Sequence, residues 1–437
     1  MRQATDGALG EWHRFAGPGY RPFHALSLSS AVVFALAGDA LTIPLLLAWG
    51  AHPALATVIG ILPTAGSAAQ LAVPRLMRRF DGNLRGLTIA ILAVGETRGI
   101  WLAGVTLVAA AGVVPLGAGI AGVALIMSFS GAAQAIGATN LQAWYGAILP
   151  EGERRFVAPR VTGISQGLGA VLLFPAALLI DAWAPTIGTG VYALIFAAGG
   201  AASLVELDAI RRLPSPGRVR VARPGTNPPP GPALGRFLRI ILVSAFGAGF
   251  GPYLSIYAIS VLGAPAGFAI VLSALSALAA LLASTAAGGL VGHGSSSRLL
   301  RASFLLRGGS MLLGLAAFPG NPLAGIVLCS VAVIVSAGAA TGTIAANERL
   351  LRLAGMPALI DAQGRYVAAN AGGGTAGQLL NAAILAVTPV GFAPFALLFL
   401  VSGLVRLVTA WRVEVSESWS TSTAVWHADD LGTGGPR

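Results

Sequence analysis

Four charged side chains interrupt long apolar runs in this sequence, and each could do chemistry. Asp39 lies in ALAGDALTIP (35–44), Glu96 and Arg98 in LAVGETRGIW (92–101), and Arg307 in SFLLRGGSML (303–312). A carboxylate in such surroundings can bind a proton or a cation, and a guanidinium can pair with it. Glu96 and Arg98 are two apart, ~200° around a regular helix, and so cannot meet face to face. One of them is then free to turn toward Asp39, and an Asp39–Arg98 ion pair is the preferred geometry. Two roles remain open for it. It is a titrating coupling site, or it is a strut that fixes two helices and never changes protonation.

The polar residues near them are candidates of a second kind. Gly251-Pro252 interrupts an apolar run and is followed by Tyr253 and Tyr257, one turn apart on one face. Those hydroxyls could bond or stack on a substrate, or the rings could pack against small neighbours. Gly38 and Pro44 could loosen the helix around Asp39 in the same way. Gln134, Gln166, Asn370, Gln378 and Asn381 could line a cavity, or they could bond between helices. Arg406 lies about two turns from the end of the last apolar run, where snorkelling to lipid headgroups is the default reading. No nucleophile–base pair, metal spacing or cofactor motif accompanies these residues, so neither an enzyme activity nor a cofactor is expected.

The elements that must hold these residues follow from composition. The chain is 55% hydrophobic and 10% charged, where a soluble domain carries about 25% charged residues. Twelve apolar stretches approach the ~20 residues needed to cross a bilayer. They span 25–49, 53–74, 86–111, 115–138, 161–182, 188–206, 237–262, 266–291, 299–319, 322–345, 366–388 and 391–412. The fold expected is all-α, with twelve transmembrane helices as two six-helix bundles. Asp39, Glu96 and Arg98 then share a similar depth near the bilayer centre, where a charge costs ~2.5–3.5 kcal/mol on insertion scales.

The connections alternate in character. One set is short, free of arginine and marked by Gly or Pro. The other holds, with the tails and adjoining span ends, 24 of the 27 basic residues, all of them arginine. The net charge of +11 therefore reads as membrane orientation and not as nucleic-acid binding. Both termini are expected in the cytoplasm, in a multi-pass protein of the inner cell membrane. A Pro-, Gly- and Arg-rich stretch at 208–235 reads as a cytoplasmic linker between bundles at 23–207 and 236–412, with tails at 1–22 and 413–437.

The two halves resemble each other. WGAHPALATVIG (49–60) lies over LGAPAGFAIVLS (262–273) at an offset of 213, which also sets Gly38-Asp39 on Gly251-Pro252. Arg98-Gly99 matches Arg307-Gly308, and Asn140 and Pro150 match Asn347 and Pro357. Ordered matches of this kind point to a duplicated six-helix unit.

With twelve spans, a central linker and AWYGAILPEGERR (143–155) before the fifth span, the sequence resembles the major facilitator superfamily of secondary transporters. The resemblance covers about 22–412. Arg78 stands where that family's loop between spans two and three carries an acid, and Gly163, Gly167 and Gly169 stand in span five without its Gly-Pro pair. The resemblance implies alternating access: two bundles rock around a central site and move a small organic solute, with coupling to protons through Asp39. The partners expected are that solute, the lipid bilayer and protons, with the chain acting as a monomer. The competing class is a membrane-embedded protein that moves no solute, a lipid-handling enzyme or a sensor.

Overall fold

The computed structural model describes residues 20–149, 151–215, 231–247, 251–291 and 296–417. Most of both expected tails and the middle of the expected linker lie outside these residues. Helix α1 (Arg21–Leu36) and α2 (Asp39–Ala48) form the first span. The second is α3 (Pro53–Gly66), extended by a 3-10 stretch (Ser67–Ala72) and α4 (Val73–Arg79). The third is α5 (Leu84–Glu96) with α6 (Arg98–Ala110), followed by α7 (Leu116–Ile148), α8 (Glu151–Ile187) and α9 (Gly190–Arg211). In the second half, α10 (Pro232–Phe246) and α11 (Gly251–Ser260) share the seventh span. Then come α12 (Ala266–Val291), α13 (Ser296–Leu313), α14 (Ala324–Val387) and α15 (Phe392–Glu417). Among the described residues, ten helical stretches are long and apolar enough to cross a membrane. This is a multi-pass membrane protein. Several hydroxyls within the spans bond back to their own helix: Ser27 donates to the Phe23 carbonyl at 2.7 Å and Thr88 to that of Leu84 at 2.7 Å.

Where a loop is expected between the tenth and eleventh spans, α14 stays helical through 64 residues. It cannot be straight. The Arg349 guanidinium sits 5.9 Å from the centre of the Phe237 ring, and Tyr366 stacks on the same ring at 6.4 Å. Residues 349 and 366 would stand ~25 Å apart on a straight helix. The helix therefore doubles back between them, and its two arms are the two spans. Leu, Ala and Arg dominate the reversal, and these residues favour helix where the sequence reading placed a loop.

Three spans are broken at the depth of the charged residues. The first breaks at Ala37-Gly38, with Gly38 extended (φ −87°, ψ 173°) as the N-cap of α2. A Cβ there would strike the Phe34 carbonyl oxygen, so the close approach requires glycine. Pro44 does not interrupt the span; α2 runs on through it. The third span breaks at Thr97, between Glu96 and Arg98. In the seventh, α10 ends at Phe246 with Gly247 as its C-cap, and α11 is described from Gly251 onward.

The duplication is visible in the packing. Gly50 and Gly263, matched in sequence, turn their chains in the left-handed region at φ 77° and 66°. In the first half α6 crosses α9 so closely that a Cβ on Gly99 would lie 2.6 Å from the Gly200 nitrogen. In the second, α13 crosses α15 with a Cβ on Gly308 3.0 Å from the Gly403 oxygen. The AGGGTAG run (371–377) packs on α10 in the same manner, since a Cβ at Gly373 or Gly377 would strike a carbonyl oxygen of that helix.

At the short-loop end both halves share one hydrophobic core, in which Leu41, Leu45 and Ile59 meet Tyr253, Ile256 and Ile270. At the arginine-rich end each half keeps a core of its own, around Trp144 in the first and Phe304 in the second. One polar contact joins the halves beside the shared core. The Gly267 N–H, in the first turn of α12, donates to Asp181 Oδ1 of α8 at 2.9 Å. An acid at a helix N-terminus is stabilising. Removing it with Asp181→Ala is expected to shift the balance toward states open at this end by about two- to fivefold. Distances between spin labels on α8 and α12 at that end check this, and an unchanged distribution would rule out a latch at Asp181.

Candidate functional site

Arg98 is the hub of the first half. It sits in the first turn of α6, 6% exposed, next to the glycine crossing that presses α6 onto α9. Its Nη1 donates to Gln134 Oε1 of α7 at 3.1 Å, and Asp39 Oδ1 of α2 stands 3.9 Å from the same nitrogen. The expected Asp39–Arg98 pairing is thus present as a long contact, and the shorter bond goes to the amide. Gln134 Nε2 in turn donates to Glu96 Oε2 at 3.4 Å. On a regular helix Glu96 and Arg98 would point apart. The break at Thr97 lets both reach one amide, so Glu96 belongs to the site as well.

Sequence reasoning missed a third acid. Glu206 of α9 is 5% exposed, and its Oε1 accepts from the Ser30 hydroxyl of α1. It lies within electrostatic reach of both Glu96 and Arg98. The sixth span was expected to end at 206, which makes Glu206 an interfacial residue. The helix instead runs to Arg211 and buries Ser203, Glu206, Leu207 and Ile210 on one face. That i, i+3, i+4, i+7 spacing is the signal in the sequence.

Three carboxyl groups therefore lie around one guanidinium, in a cluster drawn from the first, third, fourth and sixth spans. Their exposures differ. Arg98 and Glu206 are enclosed, Glu96 is half-buried, and half of the Asp39 side-chain surface is accessible. The helices around Asp39 are interior ones: α1 packs on α8 and α9, and α2 on α3, α11 and α12. Asp39, at the start of α2, thus stands on a helix that meets both halves. Gln166 and Asn370 are exposed on α8 and α14, which also meet the opposite half.

Other candidates do not join the site. Tyr253 and Tyr257 are fully buried with their hydroxyls committed to backbone carbonyls. Tyr253 donates to Gln378 at 2.9 Å and Tyr257 to Ala317. Tyr257 also packs edge-on against Phe399 and beside Phe395. They hold the shared core and have no free face for a substrate. Gln378 is buried with them. Arg307 occupies the position matching Arg98, yet among the described residues no acid pairs with it and its Nε has no hydrogen-bond partner. Arg406 is 0% exposed, which overturns the snorkelling expectation. The crossing at Gly403 holds it inside the bundle, where its stem packs 3.4 Å from a Cβ position on Gly247. His293, in a loop, lies outside the described residues.

No sequence-family profile and no curated protein sequence matches the chain. Its shape does match solved structures. A bacterial homologue of the iron transporter ferroportin in its inward-facing state is similar with a TM-score of 0.69 and 14% identity, over 91% of this chain and 99% of that one. The same homologue in its outward-facing state gives 0.59 at 15% identity, over 91% and 100%. A D-xylose–proton symporter gives 0.67 at 15% identity, over 90% and 96%. The nucleoside transporter NupG gives 0.62 at 13% identity, over 91% and 100%. The chain has the twelve-helix fold of major facilitator transporters.

The cluster makes a ranked prediction for stability. Arg98→Leu leaves three acids without their cation and is expected to cost about 3–5 kcal/mol. Gln134→Leu removes one bridging amide and is expected to cost about 1–3 kcal/mol. Glu206→Gln removes one of three like charges and keeps an oxygen for Ser30, so it is expected to be neutral or stabilising. Thermal unfolding of the purified variants in one detergent gives the order. A Glu206→Gln variant less stable than Gln134→Leu would contradict the shared-guanidinium arrangement.

Proposed function

We propose that this chain is a secondary transporter that moves a small organic solute by alternating access, driven by protons bound in the acid cluster around Arg98. The carrying observation is that cluster: three carboxyl groups around one guanidinium, held by four spans. With every acid ionised, the group would hold a net charge of −2 in low-dielectric surroundings, which is strongly unfavourable. Bound protons relieve it. Asp39, with half of its side-chain surface accessible, is the group that exchanges protons with the aqueous path, and Glu96 and Glu206 share the charge it leaves behind. Proton coupling in the structurally similar xylose symporter supports this reading.

The arginine-rich end is placed in the cytoplasm by the positive-inside rule, which puts both termini there and the protein in the inner membrane. The shared core at the short-loop end and the better match to the inward-facing ferroportin homologue support a state closed to the outside. The chain acts as a monomer in the bilayer, and its halves meet at 208–235.

Reconstitution into proteoliposomes with a panel of radiolabelled small solutes tests the proposal. An imposed pH gradient is expected to drive accumulation of at least one of them. Asp39→Asn should reduce accumulation to the level of empty vesicles while leaving counterflow exchange intact. Gradient-driven accumulation that survives Asp39→Asn would remove Asp39 from coupling.

A further inference from the structure

The second half holds a fully buried arginine, Arg406, and a half-buried one, Arg307, and among the described residues no acid is paired with either. Between Arg236 and Arg412 the acids are Glu348 and Asp361, both near the reversal of α14, and Arg352 engages Glu348 at 2.9 Å. Arg406 is completely buried, and its Nε, Nη1 and Nη2 all lack a hydrogen-bond partner. Arg307, whose Nε is likewise unpartnered, lies close enough to act on it electrostatically. The crossing of Gly308 on Gly403 explains the approach, because it brings α13 and α15 together right beside both residues. Gly338 of α14 leaves room for the Arg307 stem, where any Cβ would lie 2.7 Å from its Cγ.

Two like charges this close repel, and Arg406, with no exposed surface, carries an uncompensated desolvation cost as well. Snorkelling does not relieve it, because Arg406 has no exposed surface. The acids of the first half do not relieve it either, since they gather on Arg98. The missing negative charge comes from outside the chain. Guanidinium presents a planar fork of N–H donors that fits a carboxylate or a phosphate with paired bonds.

We propose that Arg307 and Arg406 form the anion-binding half of the transport site, so that the solute carries a carboxylate or phosphate group. This rests on the transporter reading above and adds its substrate class. A loaded protein would then hold protons on the acids of one half and an anion on the arginines of the other, with each half close to neutral. Arg406 is enclosed in the state described and Arg307 is half-buried, so the anion reaches Arg406 when the helices around it part.

The test is binding, read without transport. Purified full-length protein in a neutral detergent is melted in sodium phosphate, succinate or acetate, with sodium chloride at equal ionic strength as reference. At least one of the three anions is expected to raise the Tm by about 2 °C or more above chloride. Arg406→Leu should abolish that increment. Without added anion, Arg406→Leu should melt no lower than the native protein, because it deletes an unpaired buried charge. That second reading separates loss of the site from loss of the fold. Asp39→Asn should retain the anion shift whatever happens to proton-driven uptake, so failure of coupling and failure of this site are told apart. The inference is overturned if the three anions do not differ from chloride, or if the shift survives Arg406→Leu. It is also overturned if added phosphatidylglycerol stabilises the protein while the soluble anions do not, which would assign the arginines to a lipid headgroup.

Discussion

Buried charge in this protein is separated by half, and the other features of the interior are arranged around that separation. Three acids gather around Arg98 in the first bundle, while Arg307 and Arg406 stand in the second, whose acids between Arg236 and Arg412 are Glu348, paired with Arg352, and Asp361. Low dielectric makes either imbalance costly. On the reading proposed above, each half is relieved by something the chain does not contain: protons in one case, an anion in the other. A protein built only for stability would have brought the two sets together or replaced them with apolar residues, an exchange that is often neutral or stabilising.

The scaffold that holds the two sets is the same twice over. A glycine next to the arginine of the third or ninth span presses that helix onto the sixth or twelfth, at Gly99 on Gly200 and at Gly308 on Gly403. Residues just beyond each crossing are thereby buried. In the first half one of these is Glu206, and in the second it is Arg406. Breaks in the first, third and seventh spans lie at this level and free side chains from the fixed geometry of a continuous helix. Duplicated geometry has been filled with opposite charge.

Much of this was legible in the sequence, and the remainder failed for identifiable reasons. Length and composition of the apolar runs were enough for twelve spans, because a bilayer leaves few alternatives to helices. The Asp39–Arg98 proximity followed from equal depth. Glu206 escaped because an acid near Asp208 and Arg211 looks interfacial until the helix is seen to continue. Glu96 was a candidate from the start, but its meeting with Arg98 on one amide escaped because nothing in Gly95-Glu96-Thr97-Arg98 announces a broken helix. Tyr253 and Tyr257 looked available beside Gly-Pro, yet the closed short-loop end consumes both in packing. Burial of Arg406 depended on a glycine contact between helices far apart in the chain, which no local pattern encodes.

The claim on which the rest depends is that three carboxyl groups sharing Arg98 cannot all be ionised. Infrared spectroscopy of the reconstituted protein reads this directly through absorption by protonated carboxyl groups. That absorption is expected to be present at neutral pH and to change in Asp39→Asn, Glu96→Gln and Glu206→Gln alike, since the three share one charge. Its absence until the pH is acidic enough to titrate exposed carboxylates would show that the cluster is fully ionised, and proton coupling through it would be excluded.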